Sequence, residues 1–293
     1  MIFKKKLNKK YKYYAAEPIP SKEFLNNFYS KFYFKDKLCA TYSKKYSPEE
    51  LKYKKKKAEL IINFILTHIN TKRNKLLEIG SGEGFLLKAA HDNNFKISGI
   101  DYNDYAIKNF NKSILKFFTK CDPSLYLNEL ILNKKKFDIV LLQNVLEHVP
   151  DPSALILNIK KILLKNSYLF IQVPNDFKDL HFLLKDKKYI NKFWFFGPPQ
   201  HLNYFNSHNI KYFFQKHKFK FIDAISDFPI ELFLAFKKNY VNNPKAKSTE
   251  SHKARIFYDN FILDQGFKKS LNFYKACYDV GIGRSIILLL KNI

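Results

Sequence analysis

The stretch Leu76-Leu77-Glu78-Ile79-Gly80-Ser81-Gly82-Glu83-Gly84-Phe85 decides the fold of this chain, because it holds three of the eight glycines within five positions. An apolar run precedes the glycines, and an amphipathic run begins at Phe85. This order predicts a strand, a tight loop and a helix. Glycine lets the backbone approach a ligand closely, and the free N–H groups of a helix start can face that ligand. The stretch therefore predicts a ligand-binding loop rather than a plain turn.

The spacing of the glycines indicates the class of ligand. A dinucleotide fingerprint has glycine at its first, third and sixth positions, and the sixth position here is Phe85. The segment instead resembles motif I of the class I S-adenosylmethionine-dependent methyltransferases, in which an acidic residue and one spacer precede Gly-x-Gly-x-Gly. The resemblance implies S-adenosylmethionine as the cofactor, bound by Glu78, Gly80, Ser81, Gly82 and Gly84.

Two further acidic residues follow the predicted second and third strands. The half-apolar run Lys96–Asp101 ends in a carboxylate, which at the tip of a strand can accept both hydroxyls of a ribose. The resemblance implies that Asp101 binds the cofactor ribose, with Tyr102 beside it. Residues 117–120 predict a third strand, which would bring Asp122 to the adenine amino group of the cofactor. A plain turn around Asp122 fits the sequence equally well.

A nearly continuous apolar run, Phe137–Leu142, is typical of a parallel strand that is covered on both faces. The segment after it contains the letters LEHVPDP at residues 146–152, which resemble a segment common in the small-molecule branch of these methyltransferases. The resemblance implies that Gln143 and Asn144, just after this fourth strand, belong to the cofactor site.

The remaining periodic segments complete an α/β pattern. Strands are predicted at residues 168–173, 218–224 and 284–290, and a helix capped by Asp151 is predicted at residues 153–164. We therefore predict a Rossmann-like fold, with a seven-strand mostly parallel sheet and helices on both faces. The expected domains are an N-terminal helical cap (residues 1–73), a cofactor-binding core (74–224), and an acceptor-side insertion that also carries the last strand (225–293).

The residues before the core combine a helix signal with charged and aromatic segments. Ser47-Pro48-Glu49-Glu50 is a capping box and predicts a helix to about Ile69. The composition of residues 1–12 and 242–251 is typical of disorder, and residues 1–12 lack the apolar run of a secretory signal. An aromatic cluster is expected either to pack as core under the N-terminal helices or to line the cofactor site, as in the resembling enzymes: Phe24, Phe28, Tyr29, Phe32, Tyr33, Phe34, Tyr42 and Tyr46.

The candidate catalytic groups are histidines. Residues 193–205 contain the single tryptophan and a Gly-Pro-Pro bend, and they resemble the PPxHLxxF segment of a branch rich in enzymes that modify sugars and other small molecules. A sugar hydroxyl is a poor nucleophile near neutral pH, so a base within hydrogen-bond reach accelerates its attack. His201 is our first candidate for this base and His148 the second. The alternative is that His201 only anchors its loop.

Charge and cysteine content limit the partners. The formal net charge is +26, yet only three of the 52 basic residues are arginine, the residue that nucleic-acid readers favour. We attribute the lysine surplus to composition and expect no specific nucleic-acid partner. The three widely spaced cysteines predict reduced thiols in the cytoplasm and no metal site. No apolar run is long enough to cross a membrane.

The favoured reaction is O-methylation of a sugar that is nucleotide-linked or a precursor of a surface polysaccharide. An RNA or DNA methyltransferase is the first alternative, although the Asn/Asp-Pro-Pro-aromatic motif that grips a flipped base is absent from the sequence after the fourth strand. N-methylation of an amino sugar or another small molecule and a catalytically silent cofactor-binding subunit are further alternatives. The sequence leaves the acceptor and the oligomeric state open.

Overall fold

The computed structural model of the protein describes residues 2–28, 45–69, 73–236, 241 and 244–293. Its strands, in chain order, are β1 (Lys4–Leu7), β2 (Tyr14–Glu17), β3 (Lys75–Ile79), β4 (Lys96–Asp101), β5 (Phe118–Lys120), β6 (Phe137–Gln143), β7 (Leu163–Pro174), β8 (Asn203–Tyr204), β9 (Phe219–Ser226) and β10 (Ser285–Asn292). Its helices are α1 (Lys22–Asn27), α2 (Pro48–Leu66), α3 (Phe85–Asp92), α4 (Tyr105–Phe110), α5 (Pro123–Leu132), α6 (Pro152–Ile162), α7 (Asp179–Asp186), α8 (Ser207–Lys216), α9 (Leu232–Ala235), α10 (Pro244–Asp264) and α11 (Phe267–Asp279).

Seven strands form the central sheet in the order β5-β4-β3-β6-β7-β10-β9. The first five are parallel to their neighbours, whereas β10 runs antiparallel to both β7 and β9. Each of the seven predicted strands is present here, so the predicted Rossmann-like, mostly parallel sheet is confirmed. The carboxyl ends of β3, β4, β5 and β6 meet at one edge, where ligands bind in open α/β sheets.

The two faces of the sheet bury separate cores, and strand β6 shows why its sequence is continuously apolar. Val140 and Leu142 pack with residues of α5, α6 and α8 on one face. Ile139 and Leu141 pack with residues of α2, α3 and α11 on the other. All four side chains are fully buried, as expected of a parallel strand covered on both sides. Helices therefore lie on both faces, as predicted.

The predicted helix starts are built as the sequence indicates. The Ser47 Oγ accepts a hydrogen bond from the Glu50 N–H at 3.2 Å, and the Glu50 Oε2 accepts one from the Ser47 N–H at 2.9 Å, which completes the capping box of α2. Asp151 Oδ1 accepts the Ala154 N–H at 3.0 Å and caps α6, with Pro152 in the first turn. Helix α2 ends at Leu66, slightly before the predicted Ile69.

The basic N-terminus is ordered in the described residues, so our prediction of disorder there was wrong. Strands β1, β2 and β8 form a small antiparallel sheet, with β1 at its edge. All four side chains of β1 are exposed, and lysine on an edge strand keeps the edge from pairing with other chains. Tyr11 and Tyr13, in the hairpin loop, are buried against the core beside Phe213. The free energy gained by burying these two aromatic rings therefore exceeds the cost of repulsion among the surrounding lysines.

The segment after β9, predicted to be the acceptor-side insertion, forms α9, α10 and α11. Helix α10 packs on α2, and α11 packs on β9 and α2. Residues 244–251 belong to α10, so our prediction of disorder was also wrong for them, whereas residues 242 and 243 lie outside the described residues. A proline suits the first turn of a helix, and the long contact with α2 supports the rest of α10.

Of the predicted aromatic cluster, Phe24 and Phe28 stack on each other, and Tyr29, Phe32, Tyr33, Phe34 and Tyr42 lie outside the described residues.

Candidate active site

The glycine loop joins β3 to α3, and its glycines are required by its own conformation. Gly80, Gly82 and Gly84 have φ angles of +76°, +52° and +75°, in the left-handed region that other residues seldom adopt. A Cβ on Gly80 would lie 2.5 Å from Val145 Cγ2. The Gly80 and Ser81 N–H groups donate to the Ile100 carbonyl at 2.8 and 3.1 Å, which fixes the loop to β4.

Two buried carboxylates lie beneath this loop. Asp101 Oδ2, at the end of β4, accepts the Gly82 N–H at 2.9 Å. Burial raises the pKa of Asp101 to about 6, although N–H donors from Gly82, Asn103 and Tyr102 oppose the shift. Burial, and then the neighbouring Asp101, raise the pKa of Glu78 well above its usual range. Among the described residues, Glu78 Oε2 has no hydrogen-bond partner.

These carboxylates fit the predicted cofactor. A buried carboxylate oxygen without a partner is unfavourable, so a ligand that brings hydroxyl or ammonium donors would stabilise it. S-adenosylmethionine carries such donors on its ribose and its amino-acid portion, together with a positively charged sulfur. Glu78 and Asp101 are therefore the groups that would hold it, beside a glycine loop whose lack of side chains leaves room for the ligand.

The structure brings Tyr102 and Asp122 together at the ends of β4 and β5. The Tyr102 hydroxyl donates to Asp122 Oδ1 over 3.4 Å, and the same oxygen accepts the Ser124 N–H at 2.8 Å as the cap of α5. The predicted third strand is present as β5, and Asp122 follows it as the N-cap of helix α5. The contact of Asp122 with adenine stays a prediction.

A cavity of about 390 Å³ adjoins the loop. Six of the predicted cofactor residues line it, namely Gly80, Ser81, Gly82, Gly84, Gln143 and Asn144. Glu78, Asp101, Tyr102 and Asp122 are not among its lining residues, and the hydrogen bond from Gly82 links Asp101 to its wall. Asn144 has φ +54°, and its N–H donates to the Gln172 carbonyl at 2.9 Å. An asparagine tolerates this left-handed conformation, which turns the chain away from β6 into the cavity wall.

Both candidate catalytic histidines line the same cavity. Their ring centroids lie 4.9 Å apart in an edge-to-face arrangement. His148 Nδ1 lies 2.6 Å from the Gln200 carbonyl oxygen, which can only accept, so Nδ1 carries the proton. Burial, and then His201, lower the pKa of His148 to about 3, and burial, then Arg284, lower the pKa of His201 to about 4. Both imidazoles are therefore neutral near pH 7.

Several cavity residues escaped the sequence reasoning: Tyr53, Lys57, Glu147, Gln172, Asp227 and Arg284. Glu147 directly precedes His148 in the LEHVPDP segment, so the motif that identified His148 could also have identified Glu147 as a site residue. Glu147 is 1% exposed, and burial raises its pKa to about 8. The others come from α2, β7 and the ends of β9 and β10, and no local motif marks them.

The cations of the cavity wall are held by acidic partners. Lys57 Nζ lies 2.9 Å from Asp227 Oδ1, and Arg284 lies 2.9 Å from Asp176 Oδ1. Near the glycine loop, Glu83 accepts hydrogen bonds from Lys54 at 2.7 Å and from the Tyr46 hydroxyl. Tyr46 thus contacts the loop through Glu83, but it is not among the residues that line the cavity, and a role for the aromatic cluster in the cofactor site stays a prediction.

Residues 48–224, more than half of the chain, match the protein family described as "Methyltransferase domain". The chain therefore belongs to this family. Its sheet order and glycine loop are those of a class I S-adenosylmethionine-dependent methyltransferase, and S-adenosylmethionine is the cofactor of that class. Within the described residues, none of the helices is long and apolar enough to cross a membrane.

Individual methyltransferases are also similar to this chain. The ubiquinone biosynthesis O-methyltransferase of Haemophilus ducreyi is 31% identical over 121 residues, 37% of this chain and 50% of that protein. The enzyme of the same name from Pelagibacter ubique is 33% identical over 122 residues, 41% of this chain and 51% of that protein. The chain thus spans about half the length of these curated relatives. A solved SAM-dependent methyltransferase from Archaeoglobus fulgidus is 17% identical, with a TM-score of 0.45, over 81% of this chain and 94% of that one.

Proposed function

We propose that this chain transfers the methyl group of S-adenosylmethionine to a hydroxyl oxygen of a small acceptor. The observation that carries the proposal is the cavity that joins the glycine loop to the pair His148 and His201. The name O-methyltransferase of the curated relatives supports oxygen as the nucleophile.

The chemistry requires the residues of this chain to align the acceptor and to manage one proton. The bound cofactor supplies a methyl group on a positively charged sulfur, which is a strong electrophile. Transfer of this methyl group to an acceptor hydroxyl would release the hydroxyl proton, which a group of this chain must accept. A neutral imidazole can take this proton, and we assign the role to His201, with His148 as the second candidate. Because Nδ1 of His148 is already protonated, its Nε2 is the nitrogen able to accept.

The acceptor we propose first is a sugar, because residues 198–205 resemble the PPxHLxxF segment. The names of the relatives point instead to a precursor in ubiquinone biosynthesis. Transfer of labelled methyl groups from S-adenosylmethionine should be measured with nucleotide sugars, polysaccharide fractions, hydroxylated ubiquinone precursors and RNA. Label in the quinone precursors alone would replace the sugar assignment, and cofactor binding without any transfer would favour the catalytically silent subunit.

The histidine assignment is tested by substitution. His201→Ala should lower the turnover rate about 100-fold or more while the dissociation constant of the cofactor stays nearly the same, because a base contributes roughly 10²–10⁴-fold to rate. His208→Ala, an exposed histidine at the start of α8, is the matched control and should leave turnover unchanged. If turnover survives in His201→Ala, that residue is a loop anchor and His148 is tested next.

A further inference from the structure

Two segments that are distant in the sequence are joined by hydrogen bonds beside the cavity. The Glu147 carbonyl accepts the N–H groups of Leu202 and Asn203 at 2.8 and 3.0 Å. The Asn203 side-chain amide donates to the Val149 carbonyl at 2.7 Å. These bonds, with that from His148 to the Gln200 carbonyl, hold the turn after β6 against the loop before β8. Side chains on the two segments are therefore fixed relative to each other.

This junction brings together one carboxylate and two imidazoles. Glu147, His148 and His201 each offer a ligand atom, and these three atoms all lie within 4.8 Å of one another. His148 Nε2 lies 3.7 Å from Glu147 Oε1. Two ligand atoms at about 2.0–2.2 Å from a tetrahedral metal ion are about 3.4 Å apart, so this pair is close to the required separation.

Within the ranges that the structure describes, two atoms of the cluster formed by Glu147, His148 and His201 are left without the partners that buried polar atoms normally have. Among the described residues, Glu147 Oε2 and His201 Nδ1 are buried and have no hydrogen-bond partner. His148 donates Nδ1–H to a backbone carbonyl, an arrangement that commonly orients a metal-binding histidine and directs its other nitrogen to the ion. A cation between these groups would give the buried Glu147 carboxylate and the His201 imidazole a partner, with His148 as the third ligand.

We propose that Glu147, His148 and His201 bind a divalent transition-metal ion in the cavity beside the glycine loop. Two imidazoles and one carboxylate form a ligand set that Zn²⁺ and its first-row neighbours use, with coordination positions left open for water or a substrate. We had expected no metal, but that prediction considered cysteine spacing, whereas here the fold joins residues 147 and 148 to residue 201. This inference rests on the proposed methyl transfer but replaces its base. A histidine bound to the ion has no lone pair left to accept a proton, so the ion would bind the acceptor oxygen and lower the pKa of its hydroxyl in place of the histidine base.

The test measures metal binding without cofactor or acceptor. The full chain, stripped with a chelator, is titrated with Zn²⁺ by calorimetry and with Co²⁺ by visible absorption. We expect one ion per chain, and at least tenfold weaker binding in both His201→Ala and Glu147→Gln. The controls His208→Ala and His91→Ala replace exposed histidines and should bind like the wild type. Wild-type binding that is absent, or that is unchanged in His201→Ala and Glu147→Gln, would overturn the proposal.

The same samples separate this proposal from the proposed function. Circular dichroism checks that the variants are folded, and calorimetry with S-adenosylmethionine checks the cofactor site. Cofactor binding with no metal binding would refute the metal site and leave the methyltransferase proposal intact. Metal binding at this ligand set with no cofactor binding would support the site and refute the proposed function.

Discussion

Asp101→Asn is expected to stabilise the cofactor-free protein while it weakens cofactor binding. Burial raises the pKa of the Asp101 carboxyl from 3.8 to about 6 in the folded chain. Between these pH values the folded state keeps a proton that the unfolded state has lost. The free energy of unfolding therefore falls as the pH rises from about 4 to 6, by up to about 3 kcal/mol for two pKa units.

The amide that Asp101→Asn introduces carries no charge and escapes this loss. The amide oxygen can still accept the Gly82 N–H, as Oδ2 of Asp101 does. The NH2 group takes the place of Oδ1, which faces the Asn103 N–H, and an NH2 group cannot accept that hydrogen bond. We subtract about 1–2 kcal/mol for these bonds and expect a net gain of about 1–2 kcal/mol at pH 8, shrinking toward pH 5. Affinity for S-adenosylmethionine should fall at least about tenfold, because charge-assisted hydrogen bonds to the ribose are lost.

Urea unfolding at pH 5, 6, 7 and 8, without cofactor, measures the first effect, and calorimetry measures the second. Asp92→Asn is the control, because Asp92 is an exposed carboxylate whose pKa moves the other way: slight burial acts to raise it, but the contact with Lys88 lowers it. A loss of stability in Asp101→Asn that is equal at every pH would refute the raised pKa. An unchanged dissociation constant would mean that the ribose does not contact Asp101.

Three further predictions concern the loop, the interior and the surface. Gly80→Ala and Gly281→Ala both place alanine at φ +76°, but of these two glycines only Gly80 has a neighbour, Val145, within 3 Å of the new Cβ. Urea unfolding should therefore show that Gly80→Ala is less stable than Gly281→Ala by about 1–3 kcal/mol. Equal stabilities of the two variants would contradict the packing argument. Burial opposes ionisation of Glu231, yet Lys178, 3.2 Å away, lowers its pKa to about 2. Its contribution to stability is present above pH 4.5 and is lost as the pH falls toward 2. Glu231→Gln should therefore cost about 3–5 kcal/mol at pH 7 and clearly less near pH 3, and a difference that stays constant over this range would argue against the ion pair. If the lysine surplus reflects amino-acid composition and no RNA site, binding to random RNA should weaken steeply as the salt concentration rises, while methyl transfer survives nuclease treatment and about 0.3 M salt. Activity that disappears when the RNA is digested would favour the nucleic-acid methyltransferase alternative.

The central sheet was predictable because its signals are local. The glycine spacing, the apolar run at residues 137–142 and the capping residues each act within a few positions of the chain. The hairpin of β1 and β2 gave no such signal, since β1 is a run of exposed lysines and its sheet is completed by β8, far along the sequence. For the site, the loop residues and the two histidines were identified by motif. The edge-to-face contact of these histidines, and the Glu147 oxygen that has no hydrogen-bond partner in the described part of the chain, depend on hydrogen bonds between segments that are distant in the sequence, and no spacing rule predicts such bonds.

The position of β10 has a consequence for the order in which the protein assembles. Strand β9 has β10 as its described partner in the sheet, and β10 also covers the edge of β7. Until residues 285–292 are made and inserted, β9 cannot join the sheet, and β7 presents an apolar edge with unpaired N–H and C=O groups. Such an edge pairs readily with other chains. During synthesis the parallel strands can pair early, and the newly made chain is then most prone to aggregation just before its last described strand emerges from the ribosome.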